Sequence, residues 1–297
     1  MQIVVAGGSG FIGTALVSRL RRDGHAVTVL TRHPSKTQDV KWNPDGSSAS
    51  WAHVLEDAGA VINLAGAPIA KRWTAAYKRE IWNSRVLSTR TLVAAMKSVC
   101  RVPPTFVNAS AVGTYGARGD LPLTEEDKPG SGFLAALGAT WEKEALSAAP
   151  QARVVLLRTG IVLGREGGAL PRMVLPFRFF AGGPLGSGRQ YLSWIHRDDW
   201  TAMVSWALTT EAISGPLNVT APRPVTNLEF ARTVGRVLGR PALIPTPAFA
   251  LRAVLGEMAD AIITGQQVLP AKAHTFGFDF THPELEEALR SILTSAT

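Results

Sequence analysis

Three glycines near the start of the chain, spaced three residues apart, constrain its fold more than any other feature. They follow an apolar run at residues 2–6 and open a helical pattern at residues 11–22. In a strand–turn–helix context the first glycine permits a tight turn, the second lets the backbone approach a pyrophosphate, and the third lets helix and strand pack closely. The helix N-terminus then offers unpaired N–H groups to the phosphates. We predict that the residues holding a dinucleotide here are Gly7, Ser9, Gly10, Phe11, Ile12 and Gly13.

The end of the second predicted strand indicates which dinucleotide binds. An NAD site usually has an acidic residue about 20 residues beyond the glycine loop, where it accepts a hydrogen bond from the ribose 2′-hydroxyl. This chain has Arg32 nineteen residues after Gly13, preceded by Thr31 and without an acidic neighbour. A guanidinium binds a 2′-phosphate through charge-assisted bonds, whereas a carboxylate would repel it. We therefore predict NADP(H), with Thr31 and Arg32 at its adenosine end.

Strand and helix patterns alternate along the first half of the chain and predict its fold class. The strand patterns are continuous apolar runs, which are typical of parallel strands that helices cover on both faces. They lie at residues 2–6, 26–31, 60–64, 104–109 and 153–158, and helical patterns lie between them at 11–22, 76–100 and 132–149. We predict an α/β protein with a doubly wound, parallel Rossmann sheet.

The alternation ends near residue 165, which predicts a second, smaller lobe. Helical patterns follow at residues 198–209, 228–239, 248–264 and 283–293. Thr226 and Glu229 are expected to cap one of these helices, and Pro283 to occupy the first position of the last. We assign residues 1–165 to the Rossmann domain, with 190–222 returning to it. Residues 166–189 and 223–297 are assigned to a mostly helical substrate-side lobe.

Charge and cysteine content argue against several classes of protein. The 297 residues carry a formal net charge of +8, but the cations are scattered and form no basic stripe with aromatic residues, so we expect no nucleic-acid partner. Cys100 is the only cysteine, which excludes an intrachain disulfide, and no metal site is predicted. The chain shows no signal-peptide pattern and no segment as long as a membrane span. We therefore expect no membrane partner and a cytoplasmic location.

Motifs at the ends of four strands resemble those of a known family. They are the glycine loop, Asn63-Leu64-Ala65-Gly66, Asn108-Ala109-Ser110 and Arg158-Thr159-Gly160. On these residues the chain resembles extended short-chain dehydrogenases/reductases of the NAD-dependent epimerase/dehydratase group. Segments such as Ser193-Trp194-Ile195-His196 and Gly277-Phe278-Asp279-Phe280 are similar to an atypical "epimerase family protein" branch with its own C-terminal domain. The resemblance implies that Leu64, Ala65 and Gly66 contact the cofactor.

The residues that active short-chain dehydrogenases use for catalysis are largely missing. Those enzymes use Ser, Asn and a Tyr-x-x-x-Lys pair, in which the Lys lowers the pKa of the Tyr. The three tyrosines of this chain, at positions 77, 115 and 191, have no Lys four residues on. By the resemblance, the Tyr and Lys positions fall near Leu137 and Trp141 and the Asn position near Arg85. Only Ser110 is retained.

Other side chains are candidates for the chemistry that remains. Ser110 ends a central strand, and ligands bind at the carboxyl edge of such sheets, so Ser110 and Tyr115 are predicted to bond the substrate oxygen. Ser110 is also predicted to contact the cofactor. Glu142 or His196 could serve as the acid/base. The alternatives, which the patterns favour, are that Glu142 is a solvated helix carboxylate and that His196 has a structural or helix-capping role.

Two further pairs are candidates for ligand binding. Arg85, with Glu80 about one turn earlier, could bond the ribose or phosphate of the cofactor or an anionic substrate, or could be an ordinary exposed helix pair. Arg72 and Trp73 follow the third strand pattern, where they could face a planar or anionic ligand, although Trp is also a common core residue.

Two hypotheses of function follow. The first is an NADP(H)-binding oxidoreductase or sugar-nucleotide-epimerase-like enzyme that acts on a small molecule, either anionic or planar. The second is a catalytically silent NADP(H)-binding sensor or scaffold, which the missing Tyr-x-x-x-Lys pair favours. The retained Ser110 and the second lobe favour the first. The substrate and the oligomeric state stay open.

Overall fold

A parallel sheet forms the centre of the protein. The computed structural model describes residues 1–45 and 50–294. The strands of the sheet are β1 (Gln2–Ala6), β2 (Ala26–Thr31), β3 (Asp39–Lys41), β4 (Ala60–Asn63), β5 (Thr105–Ala111), β7 (Arg153–Thr159) and β11 (Gly215–Val219). All are parallel and follow the order β11-β7-β5-β4-β1-β2-β3. The predicted α/β class is therefore confirmed, and the strand order reverses between β1 and β4.

Helices cover both faces of this sheet. The helices packed on it are α1 (Phe11–Arg22), α2 (Ala75–Ser98), α3 (Phe133–Leu146) and α5 (Arg197–Thr209). Side chains of β1 alternate between the faces, so that Ile3 and Val5 pack towards α1 and α5, and Val4 and Ala6 towards α2. Every one of these four is 0% exposed. Burial on both faces explains why the strand patterns are continuous apolar runs rather than alternating ones.

Two strands of the sheet were not predicted, because neither has a strong strand pattern. β3 has only three residues and lies at one edge. β11 forms the other edge and opens with Gly215-Pro216, residues that strands usually avoid except at an edge. β11 and α5 bring the segment after residue 190 back to the sheet. The division of the chain near residue 165 stays a prediction.

A second core belongs to the C-terminal part. It is shared by α4 (Leu170–Arg178), α6 (Asn227–Leu238) and α10 (Leu285–Leu293), together with short strand pairs. Those pairs are formed by β8 (Ile161–Leu163) with β10 (Trp194–His196), and by β9 (Tyr191–Leu192) with β12 (Val225–Thr226). β6 (Pro122–Leu123) pairs with β13 (Gln267–Val268), which precedes α9 (Ala271–Thr275). Thr226 caps α6 by accepting the N–H of Glu229, as expected.

Two helix predictions in this lobe were wrong. The pattern at residues 248–264 forms two helices, α7 (Ala248–Leu255) and α8 (Met258–Thr264), because the chain turns at Gly256 with a φ of +63°. The last helix begins at Leu285, so Pro283 lies before it rather than in its first position. The carboxylate of Asp199 accepts the N–H groups of Thr281 and His282, which holds this segment outside the helix. Within the described ranges, no helix is long and apolar enough to cross a membrane.

Candidate functional site

The three glycines of the loop after β1 play two different roles. A Cβ at Gly7, whose φ is +79°, would lie 2.7 Å from the carbonyl carbon of Leu64, and one at Gly13 would lie 2.2 Å from the carbonyl oxygen of Gly7. Both positions therefore need glycine for close backbone contact. A Cβ at Gly10 would come no nearer than 3.5 Å to the Gly7 carbonyl oxygen. The space in front of Gly10 is open, as a bound pyrophosphate requires.

The first turn of α1 offers only backbone groups to this space. Gly10 is the N-cap residue, no side chain caps the helix, and its first turn has no acidic residue. The ring of Phe11 packs against the loop after β8, because Cβ atoms at Gly167 and Gly168 would lie 2.8 Å from it, and Ile12 packs against the core. The N–H groups of the turn, with the exposed Ser9, are therefore what the protein presents to an anion.

A cavity of about 680 Å³ opens beside α1 at the end of β2. It is lined by Ser9, Thr31 and His33 and by three cations, namely Arg21, Arg22 and Lys36. Arg32 itself is exposed at the end of β2 and forms no ion pair within the described chain. Sequence reasoning missed His33 and Lys36, although both follow Arg32 within four residues.

The nearest carboxylate to this cavity is already engaged. Asp39 lines the cavity, and its Oδ2 accepts the N–H groups of Ser35 and Lys36, each at 2.9 Å. The hydrogen bond from the Ser35 backbone is the largest influence on the Asp39 carboxyl and, with that from Lys36, lowers its pKa. Asp39 Oδ2 is therefore less available to accept a hydrogen bond from a ribose hydroxyl, which is the role of the acidic residue in an NAD site.

The loop after β4 lies against the glycine loop. Asn63 donates to Thr89 at 2.9 Å and to Asn108 at 2.7 Å, and its Oδ1 accepts the N–H of Ala65 at 3.1 Å. This buried amide network fixes the start of the loop, so that Leu64 and Ala65 contact Gly7. Gly66 follows at the exposed edge. The structure thus brings together the two loops that were predicted to hold the cofactor.

Arg85 lies behind this second loop, on α2. Its guanidinium donates to the carbonyl groups of Ile81 and Ala67, each at 3.1 Å, and lies 5.4 Å from the ring of Trp141. Burial lowers the pKa of Arg85 to about 10. Glu80 is exposed, and the partners of the Arg85 guanidinium are these two carbonyl groups rather than Glu80, so the two residues do not form a helix pair.

Ser110 lies in a buried ion-paired cluster. Its hydroxyl donates to Glu142 Oε1 at 2.6 Å, and Glu142 receives two hydrogen bonds from Arg158, at 2.9 and 2.8 Å. The pKa of Arg158 is raised: its own burial opposes the charge, and the bond to Glu142 more than offsets this. Glu142 is only 6% exposed, so its interpretation as a solvated helix carboxylate was wrong. The Ser110 proton points to a carboxylate rather than towards a ligand.

Tyr115 belongs to the same cluster and is completely enclosed. It is 0% exposed, and its hydroxyl donates to Asn218 Oδ1 at 2.7 Å or the Thr124 carbonyl at 2.8 Å while accepting from Arg158 at 3.0 Å. Burial raises the pKa of Tyr115 to about 12. The structure contradicts its predicted contact with the substrate, because a sealed phenol with all its bonding capacity used cannot reach one. Sequence spacing gave no sign of this, since Asn218 is 103 residues away.

His196 caps a helix, which supports the second of its two interpretations. It is 6% exposed, its Nδ1 accepts the N–H of Asp198 at the start of α5, and its ring contacts the tilted ring of His282 with 3.9 Å between the centroids. Burial, with a smaller contribution from His282, lowers its pKa to about 4. Within the described chain, these two histidines and Asp198 are the one group with spacing suited to a metal. The helix cap already uses His196 Nδ1.

Arg72 and Trp73 join the two lobes. Arg72 donates to the carbonyl groups of Ala253 and Val254 at the end of α7, where a cation is favourable. Trp73 is 7% exposed and its indole N–H donates to Ile69. Trp73 is therefore a core residue, and the prediction that Arg72 and Trp73 face a ligand was wrong. Lys78 adds an ion pair with Glu257.

A parallel sheet with a glycine loop at its switch point and helices on both faces defines a nucleotide-binding protein of the Rossmann type. The model of the NAD dependent epimerase/dehydratase family matches residues 3–219, and that of a domain of unknown function, DUF1731, matches residues 246–292. The chain belongs to the NAD dependent epimerase/dehydratase family. The resemblance stated from its motifs is thereby confirmed.

Similar proteins extend over the whole chain. Epimerase family protein YfhF of Bacillus subtilis is 41% identical over 300 residues, covering 99% of this chain and 98% of its own. The chloroplastic SDR39U1 homolog of Arabidopsis thaliana is 42% identical, covering 99% and 87%. The crystal structure of human epimerase family protein SDR39U1 with NADPH has a TM-score of 0.93 at 36% identity and covers 100% of both chains. Because one relative is chloroplastic, a cytoplasmic location stays a prediction.

Two substitutions in the glycine loop should separate packing from binding. Gly13→Ala places a Cβ against the Gly7 carbonyl and should lower the free energy of unfolding by about 1–3 kcal/mol. Gly10→Val should keep the thermal stability and lose dinucleotide binding, because its side chain fills the open space before α1. Thermal unfolding and calorimetric titration measure the two effects. A Gly10→Val variant that still binds the dinucleotide would contradict this position for the phosphates.

Two glutamates on α3 provide a matched test of the buried cluster. Glu142→Ala leaves Arg158 buried without a counter-charge and should lower the free energy of unfolding by about 3–5 kcal/mol. Glu144→Ala, which removes a more exposed pair with Arg90, should cost less than about 1 kcal/mol. Urea denaturation measures both. Equal losses would mean that the Glu142–Arg158 pair contributes no more than a surface pair.

Proposed function

We propose that the protein binds NADP(H) at the carboxyl edge of its sheet. The observation that carries this proposal is the open N-terminus of α1 in front of Gly10, next to an exposed Arg32 and a cavity lined by cations. The pyrophosphate would lie on the N–H groups of the first turn of α1, and the 2′-phosphate at Arg32, with His33 and Lys36 nearby. The NADPH bound to the human relative supports the same choice.

The proposed activity is that of an oxidoreductase or epimerase-like enzyme acting on a small molecule. When bound, the nicotinamide supplies or accepts the hydride. The chain would hold the cofactor and orient the substrate against it, and the lobe carrying α7 and α8, which Arg72 and Trp73 attach to the sheet, would close over the reacting groups. Since a protein that only sensed the cofactor would not need this lobe, its presence favours an enzyme.

The structure changes what we propose for Ser110. Because its proton is directed to Glu142, Ser110 would present a lone pair to a ligand and accept a hydrogen bond from a substrate hydroxyl. It would not donate to a carbonyl oxygen. Both oxygens of Glu142 accept hydrogen bonds from Arg158, and one of them also accepts from Ser110, so proton exchange would fall to the substrate or to water.

A sensor or scaffold is the second candidate, and one observation favours it. Ser110, Tyr115, Glu142 and His196 are all at most 6% exposed and hydrogen-bonded within the protein. An active site usually keeps an acid or base within reach of its ligand. A protein that binds NADP(H) without turnover needs no such group.

The cofactor proposal predicts a large effect of one exposed arginine. Arg32→Ala should weaken NADPH binding about ten- to a hundredfold, the loss of roughly one charge-assisted interaction, and leave NADH binding unchanged. Arg19→Ala is the control, because Arg19 carries the same charge but pairs with Asp23 near the other end of α1. Calorimetric titration of both cofactors measures the preference. Equal affinity of the unmodified protein for NADH and NADPH would refute the assignment.

A screen for turnover separates the enzyme from the sensor. Carbonyl compounds are offered with NADPH and alcohols with NADP⁺, and the nicotinamide absorbance is followed. We expect slow turnover of one class, lost in Gly10→Val, with Tyr115→Phe reducing it only as far as it lowers stability. Tight NADPH binding without turnover in either panel would instead support the sensor.

A further inference from the structure

Arg85 is an enclosed arginine without a compensating negative charge in the part of the chain that the structure describes. The guanidinium of Arg85 is partly buried and uses two of its N–H donors, on the carbonyl groups of Ile81 and Ala67. An arginine carries five such donors. Within residues 1–45 and 50–294 it forms no ion pair, and no carboxylate influences its pKa, which burial lowers to about 10. It therefore stays charged at neutral pH without a counter-ion.

Two other arginines show how this protein otherwise compensates an enclosed cation. Arg158 is held by both oxygens of Glu142. Arg153 makes five hydrogen bonds, four of them to carbonyl groups at and after the end of α5. There the negative end of the helix dipole meets the positive charge. Arg85 has neither arrangement, since Ile81 lies within α2 and Ala67 is in a loop.

The position of Arg85 indicates which ligand group it meets. A Cβ at Gly66 would lie 3.1 Å from its Cζ, so the exposed, side-chain-free Gly66 leaves the guanidinium close to the surface of the loop. Leu64 and Ala65 are the residues of this loop that contact Gly7, whereas Gly66, the next residue along, contacts Arg85. The ring of the buried Trp141 lies against the guanidinium, with its centroid 5.4 Å from Cζ. Arg85 therefore lies beyond the proposed pyrophosphate position, towards the part of the edge left for the substrate.

We propose that Arg85 binds a carboxylate group of the small-molecule substrate, and this rests on the function proposed above. The planar fork of a guanidinium matches the two oxygens of a carboxylate, and the buried ring of Trp141 would support the guanidinium. An arriving carboxylate supplies the missing counter-charge. The phosphates of the cofactor have their own partners at α1 and at the end of β2, so they leave Arg85 unused.

The test uses the protein loaded with NADP⁺. Acetate, glycolate, lactate and oxalate are titrated by calorimetry, each beside its uncharged amide. The unmodified protein should bind at least one carboxylate ten times more tightly than its amide, and Arg85→Met should abolish that difference. Arg90→Met is the matched control, because Arg90 lies on the same helix but is exposed and paired with Glu144. No preference for any carboxylate over its amide in the unmodified protein would overturn the proposal.

Thermal unfolding and NADPH titration distinguish a binding role from a structural or cofactor role. The preferred carboxylate should raise the Tm of the unmodified protein and of Arg90→Met, and leave that of Arg85→Met unchanged. If Arg85→Met weakens NADPH binding as much as carboxylate binding, Arg85 serves the cofactor and the proposal is wrong. Failure of the unmodified protein to bind NADPH would refute the proposed function instead, and a carboxylate preference measured without NADP⁺ would still uphold the assignment of Arg85.

Discussion

The close contact between the glycine loop and the loop after β4 is the constraint on which the rest of the site depends. Gly13 lies under the Gly7 carbonyl, and Gly7 in turn lies against Leu64 and Ala65, with no space for a side chain at either glycine. This contact sets the start of α1 and therefore the direction of its free N–H groups. It also places the loop that carries Gly66 beside them, and Arg85 behind that loop. The buried amide of Asn63 keeps the second loop in this position.

A second constraint is the buried charge cluster at the ends of β5 and β7. Ser110, Glu142, Arg158 and Tyr115 satisfy one another, and Asn218 on β11 completes the set. Such a cluster is costly to bury unless every member has its partners, which these have. It ties α3 to the sheet edge where the family's Tyr–Lys helix lies. The ion pair of Glu142 and Arg158 therefore stabilises the packing of α3 on the sheet.

The sequence predicted the local parts of the fold well, because their signals are local. Continuous apolar runs identified the five inner strands, and Thr226 marked the start of α6. The errors fall where long-range contacts decide. β11 opens with Gly215-Pro216 and becomes a strand only because β7 offers it an edge, and the start of α10 is delayed because Asp199 binds the segment before it. For the site, the glycines and Arg32 stay predictions of the sequence, and the sequence could not tell that Tyr115 is completely buried.

The sequence by itself determined the glycine loop and the arginine that stands in place of an acid after it. Both are local features, because the residues that define each of them are close together in the chain. What only the tertiary structure decided is the state of each charged or hydroxyl side chain. Ser110 and Glu142 are 32 residues apart, and Arg72 and Ala253 are 181 apart. Whether a polar group faces a ligand or a buried partner depends on such distant neighbours, because burial and counter-charge are set by packing and not by local sequence.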